Sequence, residues 1–69
     1  MVTLYTNYCP KCNMLKRLMD DKGVEYSIVD DENIFMPIAD ANNILSMPFA
    51  EVDGNILNTK ELQKHIMED

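Results

Sequence analysis

Residues 2–12 of the chain read Val-Thr-Leu-Tyr-Thr-Asn-Tyr-Cys-Pro-Lys-Cys. Most of the residues at positions 2–6 are β-branched or aromatic, a composition that favours a short buried strand. Pro10 suits the first position of a helix, where a missing N–H costs nothing, and this makes Cys9 the N-cap. The stretch therefore predicts a strand that leads directly into a helix, with Cys9 and Cys12 at the junction.

The residues after the cysteines predict a strand–helix–strand unit. Gly23 ends the helix, because glycine readily takes the left-handed conformation that follows a helical turn. Residues 24–29 alternate polar and apolar side chains and predict a second strand, which must pair in parallel with the first through a right-handed crossover. The apolar stripe expected to pack this helix into the core consists of Met14, Leu15, Leu18 and Met19.

A second helix follows a polar break at residues 30–33. Apolar residues step by four, three and four, which predicts a helix that begins near Pro37, if this proline lies in the first turn, and ends before Pro48. Pro48 stands directly before the next strand, so the Met47–Pro48 bond is a candidate cis peptide. The stripe of the second helix consists of Ile34, Ile38, Ala41 and Leu45.

A hairpin and a short helix complete the pattern. Asp53-Gly54 between apolar runs at 49–52 and 56–57 predicts a tight hairpin turn. Residues 59–67 predict a closing helix capped by Asn58 or Thr59. The order β-α-β-α-β-β-α indicates an α/β class domain over residues 1–69, with helices packed on a four-stranded mixed sheet.

Size and charge exclude several classes of function. A chain of 69 residues folds into one small domain with roughly 4,500 Å² of accessible surface. The net charge of −6 opposes nucleic-acid binding, because a phosphate backbone requires compensating Lys and Arg. Residues 1–29 carry four basic and three acidic side chains, whereas residues 30–69 carry two basic and nine acidic ones. The cysteines therefore lie in the less acidic part of the chain.

The cysteine count indicates a reducing compartment. Secreted proteins of this length usually carry four or more cysteines, whereas this chain has 2, close together in sequence. The sequence contains no apolar run of about 18 residues and no basic segment followed by an apolar one at its start. We therefore expect a cytoplasmic monomer that does not bind membranes.

Cys9-Pro10-Lys11-Cys12 is the motif that carries chemistry. A helix N-terminus favours an anion, so Cys9 is expected to have a pKa below the usual value of about 8.5. Its thiolate would attack a disulfide, and Cys12 would then attack the mixed disulfide and release the reduced substrate. Lys11 adds a positive charge that favours the thiolate or meets an acidic partner.

Two other readings of the cysteine pair remain open. A zinc site needs four ligands, and the two cysteines with His65, the only histidine, supply three, so no metal site is predicted. The pair could instead complete a metal site with a partner's cysteines, in a binding or adaptor module without enzymatic activity. It could also form a redox sensor whose disulfide changes the binding of a partner.

Several segments taken together resemble the glutaredoxin branch of the thioredoxin-like family. They are Leu4-Tyr5-Thr6, Cys9-Pro10-Lys11-Cys12, Ser46-Met47-Pro48-Phe49 and Val52-Asp53-Gly54. The resemblance covers almost the whole chain, and the segments follow the family's order. It implies the thioredoxin-like fold.

The resemblance also implies roles for individual residues. Cys9 would be the nucleophile and Cys12 the resolving thiol. Met47, before a cis-proline, would offer its backbone to an extended substrate, and Pro48 would shape the groove beside Cys9. Contacts from a side-chain platform around Tyr8 and Lys11 would complete the substrate site.

The implied substrates are protein disulfides or glutathione mixed disulfides. No bound cofactor is expected, and the electrons would come from glutathione or from NADPH through thioredoxin reductase. Glutathione-binding members carry a Gly-Gly-x-Asp-Asp type of segment where this chain has Leu57-Asn58-Thr59-Lys60-Glu61. The chain is also similar to redoxins that supply ribonucleotide reductase and to very short glutaredoxins of phages and firmicutes.

Overall fold

Seven elements follow one another in the computed structural model, which describes residues 2–68. They are β1 (Val2–Tyr5), α1 (Pro10–Asp21), β2 (Tyr26–Val29), α2 (Glu32–Ala41), β3 (Phe49–Val52), β4 (Asn55–Leu57) and α3 (Thr59–Glu68). The four strands form one sheet in the order β2-β1-β3-β4. The predicted order of elements and the mixed four-stranded sheet are confirmed.

The central strand β1 sets the register of the sheet. It pairs in parallel with β2, where Leu4 faces Ile28, and antiparallel with β3, where Leu4 faces Ala50. β3 and β4 form the predicted hairpin. Asp53 and Gly54 both have positive φ at its turn, 50° and 85°, as a two-residue turn between right-twisted strands requires.

Side-chain alternation along the strands divides the core in two. On one face, Leu4 and Ala50 pack with α1 and α3, and on the other, Tyr5 and Phe49 pack with α2. The Tyr5 and Phe49 rings stack with centroids 4.8 Å apart. The accessible surface of 4511 Å² agrees with the size-scaling expectation. No helix within residues 2–68 is long and apolar enough to cross a bilayer.

The second helix begins earlier than predicted. Asp31 is its N-cap, with a side chain that accepts a hydrogen bond from the Asn33 N–H at 2.9 Å. Pro37 therefore lies inside α2 rather than in its first turn. The helix ends at Ala41, and Leu45, predicted to lie on its apolar stripe, stands 98% exposed in the loop of residues 42–48.

Smaller differences concern the first helix and the strand ends. Gly23 follows α1 with φ 71°, as expected, and Met19 is buried, but Met14 is exposed and lies outside the core. The first two strands are shorter than predicted, because β1 ends at Tyr5 and β2 begins at Tyr26.

Candidate active site

Cys9 caps the first helix, as the sequence predicts. Its backbone is extended, with φ −66° and ψ 164°, and Pro10 occupies the first turn. The Cys9 Sγ accepts a hydrogen bond from the Cys12 N–H at 3.2 Å. This sulfur is half-buried, so it remains within reach of a substrate.

Cys12 lies behind it, only 1% exposed. Its Sγ donates to the Asn7 Oδ1 at 3.4 Å, and the Thr6 hydroxyl also bonds to this sulfur. Thr6 is 2% exposed and accepts the Tyr8 N–H at 3.0 Å. Sequence reasoning missed both polar neighbours, although a threonine at the end of an apolar strand is a signal that its hydroxyl has a buried partner.

The Asn7 side chain bonds to both cysteines. Its Oδ1 accepts the Cys9 N–H at 3.2 Å, so one amide oxygen contacts both cysteines. This side chain holds the junction between β1 and α1 in place.

The two cysteines differ in how readily they ionise. Burial raises the pKa of Cys9, a hydrogen bond to the Cys12 side chain and its charge raise it further, and the N–H groups of Cys12 and Lys11 lower it less. Burial also raises the pKa of Cys12, but hydrogen bonds from Cys9, Thr6 and backbone N–H groups outweigh it, so the net shift is downward.

The predicted low pKa of Cys9 is therefore wrong for the reduced pair. Because each thiol affects the ionisation of the other, the two titrate as a unit that loses its first proton more readily than its second. The buried sulfur has more hydrogen-bond donors around it and is the one on which negative charge is better stabilised. The exposed sulfur of Cys9 is the one a substrate can reach.

The Met47–Pro48 segment lies against the nucleophile. Its peptide bond is cis, and the Cys9 Sγ lies 3.8 Å from the Met47 carbonyl oxygen, to which it donates. Pro48 is buried and Met47 half-buried. The structure thus brings the Cys9–Cys12 pair together with the Met47–Pro48 pair, although the two pairs are more than 30 positions apart in sequence.

Tyr8 and Lys11 lie at the edge of the site. Tyr8 has a positive φ of 58°, and its hydroxyl donates to Asp30 Oδ2 at 2.9 Å. The Lys16 Nζ lies over one face of the ring, 6.0 Å from its centre, so the ring is contacted at its hydroxyl end and on one face. Lys11 is exposed and lines a groove on the far side of Met47.

Two grooves flank the residues Ile44 to Met47. The inner groove has a volume of about 340 Å³ and contains Cys9. The outer groove has a volume of about 440 Å³ and reaches Lys11 and Lys60. The apolar side chains of the inner groove are Met36, Ala39, Ile44, Leu45 and Met47.

The segment that corresponds to the glutathione-binding run of the family caps α3. The Asn58 Oδ1 accepts the Glu61 N–H at 2.8 Å, and the Glu61 Oε1 accepts the Asn58 N–H at 3.2 Å. This reciprocal capping box shows Asn58, not Thr59, to be the cap.

Within the described part of the chain, no group of three or more His, Cys, Asp or Glu side chains could hold a metal ion.

Comparison with known proteins identifies relatives of this arrangement. The sequence profile of the Glutaredoxin family matches residues 2–36. No curated protein sequence matches the chain significantly.

Two solved structures share the fold. The glutaredoxin-like protein NrdH-redoxin from Escherichia coli, described as having a thioredoxin-like activity profile, superimposes with a TM-score of 0.73 at 17% identity over 91% of each chain. A mutant of a thioredoxin-like protein gives a TM-score of 0.76 at 20% identity, over 96% of this chain and 90% of that one. The chain therefore has the thioredoxin-like fold.

Proposed function

The chain belongs to the glutaredoxin family, and on this premise we propose that it is a dithiol oxidoreductase that reduces protein disulfides in the cytoplasm. Membership supports thiol–disulfide exchange in general. The observation that carries the proposal is the unequal exposure of the two sulfurs: Cys9 is half-buried beside the Met47 carbonyl, and Cys12 is buried behind it.

The proposed reaction has two exchange steps. The Cys9 thiolate attacks one sulfur of the substrate disulfide, forms a mixed disulfide and releases the other substrate sulfur as a thiolate. The Cys12 thiolate then attacks the Cys9 sulfur, and the second substrate sulfur leaves. Two electrons pass to the substrate and the protein is left with a Cys9–Cys12 disulfide. The protons lost by the two cysteine thiols pass through solvent to the released substrate thiolates.

Protonation of the pair suits this order. Before attack, the more accessible Cys9 thiol can pass its proton to the neighbouring Cys12 sulfur, whose pKa is lowered, and so become the nucleophile. After attack, Cys9 is in a disulfide and no longer titrates. The donors around Cys12 then favour its thiolate, the form that resolves the mixed disulfide.

The inner groove supports a polypeptide substrate. Its apolar side chains include Leu45, 98% exposed, which offers an apolar contact to residues flanking a disulfide. In this proposal, Met47 offers its backbone to the substrate and Pro48 shapes the chain beside Cys9. Tyr8 and Lys11 do not line the inner groove and would contact the substrate from the edge of the site, Lys11 from the outer groove. At α3, the Glu61 carboxylate is engaged with the Asn58 N–H, which favours protein disulfides over glutathione mixed disulfides.

The electron source is tested by following NADPH consumption by the oxidised protein. One assay contains glutathione and glutathione reductase, and the other contains thioredoxin reductase. We expect turnover with thioredoxin reductase, as in redoxins that donate electrons to a reductase such as ribonucleotide reductase. Turnover with glutathione alone would contradict this choice of reductant.

The dithiol mechanism is tested with single cysteine variants and insulin as the disulfide substrate. Cys9→Ser is expected to abolish turnover, and Cys12→Ser to accumulate a covalent mixed disulfide seen on a non-reducing gel. Multiple turnover by Cys12→Ser at the wild-type rate would refute the resolving role. No turnover by the wild type with either reductant would instead favour the sensor or metal-binding readings.

A further inference from the structure

The hydroxyl of Thr59 braces the segment that faces Cys9. Thr59 is the first residue of α3 and is only 6% exposed. Its Oγ1 donates to the Pro48 carbonyl oxygen and lies 3.3 Å from the Ser46 Oγ. Ser46 and Pro48 are the two chain neighbours of Met47, so one buried hydroxyl contacts the chain on both sides of that residue.

The loop that contains Met47 has little regular structure to hold it. The loop of residues 42–48 connects α2 to β3 and contains no helix or strand. Leu45 and Ser46 are exposed, so their packing does little to hold the chain. Met47 itself packs against the core cluster that contains Phe49. The position of its carbonyl, 3.8 Å from the Cys9 Sγ, also depends on how firmly its two chain neighbours are held.

We propose that Thr59 is a positioning residue for disulfide exchange, whose hydroxyl holds Met47 in the place where a substrate backbone docks beside Cys9. This inference rests on the proposed function and adds to it a residue outside the cysteine motif. Thr59 acts through Pro48 and Ser46 and does not touch the reacting sulfurs. Removing the hydroxyl leaves a buried carbonyl without its donor and loosens the docking backbone.

The central variant is Thr59→Val, which keeps the branched shape and removes the hydroxyl. We expect KM for a protein disulfide to rise about three- to tenfold, the range of one lost hydrogen bond, with kcat within twofold. Alkylation of Cys9 by iodoacetamide should keep its wild-type rate, because this small reagent needs no docking backbone. Thr59→Ser, which retains the hydroxyl, should restore KM.

Two controls separate positioning from a general loss of stability. Thr3→Val makes the same change in β1, where Thr3 pairs with Ser27 and Glu51, and should leave KM unchanged. Amide hydrogen exchange should become faster in residues 42–47 of Thr59→Val and stay unchanged in α1. Because hydrogen exchange needs no activity, it also tests the proposal if the variant is too inactive for kinetics.

The proposal is overturned if Thr59→Val has wild-type KM, if Thr59→Ser fails to restore it, or if alkylation slows in parallel. It is also overturned if amide hydrogen exchange in residues 42–47 is unchanged. A wild-type protein that reduces no disulfide would refute the proposed function, and the exchange measurement would still decide whether Thr59 holds the loop.

Discussion

The unequal surroundings of the two cysteine sulfurs are the main chemical feature at the scale of single residues. Helix position alone favours a thiolate at Cys9, but the side chains behind it favour charge on Cys12. The result is a pair in which the reachable sulfur and the better stabilised sulfur are different atoms. In the proposed reaction, attack by Cys9 therefore requires the transfer of one proton between the two cysteines.

This arrangement predicts the effect of removing Cys12. Its side chain raises the pKa of Cys9 through a hydrogen bond and through charge, whereas the backbone N–H groups that lower it stay in place. In Cys12→Ala, the pKa of Cys9 should therefore fall relative to the wild type. The pH dependence of iodoacetamide alkylation measures it, with Cys9→Ala as the matched variant that reports Cys12.

An unchanged or higher pKa of Cys9 in Cys12→Ala would show that burial alone sets its ionisation.

The placement of the two cysteines at the start of α1 could be predicted from sequence, because capping and proline preferences are local. The contacts of Thr6 and Asn7 could not. They depend on the positive φ of Tyr8, a conformation that a non-glycine residue adopts only in particular tertiary surroundings.

At the scale of elements, α2 shows two local signals in competition. The preference of proline for the first turn of a helix points to a start near Pro37, but Asp31 supplies a cap six residues before that proline. The capping side chain prevails, so Pro37 lies in the helix interior, where it offers no N–H to the carbonyl of Asn33. The boundary was mispredicted because periodicity does not distinguish these starts.

The interior proline predicts a stabilising substitution. Proline is about 3 kcal/mol worse than alanine inside a helix, and its restriction of the unfolded chain recovers up to about 1 kcal/mol. Pro37→Ala should therefore raise the free energy of unfolding by about 1–2 kcal/mol in urea titrations. Pro10→Ala, at the start of α1, is the control and should give no such gain. A less stable Pro37→Ala protein would contradict this account.

A hydrogen bond between elements predicts a pH effect. The Tyr26 hydroxyl of β2 donates to Asp20 Oδ1 of α1 at 2.7 Å. Burial and this bond to Asp20 raise the pKa of Tyr26 to about 12. The folded protein thus holds this proton more tightly than the unfolded chain, whose tyrosine has a pKa of about 10, so the stabilisation is complete below pH 10 and is lost as the pH rises through 12.

The variant Tyr26→Phe tests whether this stabilisation is lost as the pH rises. Near pH 8, the variant should be less stable than the wild type by about 0.5–1 kcal/mol, the usual worth of an accessible hydrogen bond. The difference should shrink between pH 10 and 12, because phenylalanine does not titrate. Urea titrations of both proteins across this range measure it, and a difference that grows with pH would show that the bond is not the cause.

At the scale of the whole molecule, the thioredoxin-like arrangement could be predicted because each element carries a local signal and crossover handedness leaves few topologies. That Met47 lies beside Cys9 could be expected only from the resemblance to the family. The Thr59 contact with Pro48 could not be predicted, since nothing local links a helix start to a loop eleven residues before it.

Net charge gives the last prediction. The molecule carries −6 within 29 × 22 × 18 Å, and at 0.01 M salt the Debye length of about 30 Å spans it. Like charges therefore repel across the whole fold, and added salt should relieve this. Raising NaCl from about 0.01 to 0.5 M at pH 7 should raise Tm by roughly 4–8 °C, equivalent to about 1 kcal/mol.

Scanning calorimetry measures the salt effect, and the same series near pH 4.5, the isoelectric point, is its control. The increase should largely vanish there, because the net charge is close to zero and little repulsion remains to be screened. The ion pair between Lys64 and Glu68, 3.9 Å apart on the surface of α3, contributes too little to reverse the sign. A Tm that falls with salt at pH 7 would mean that attractive pairs outweigh the excess of carboxylates.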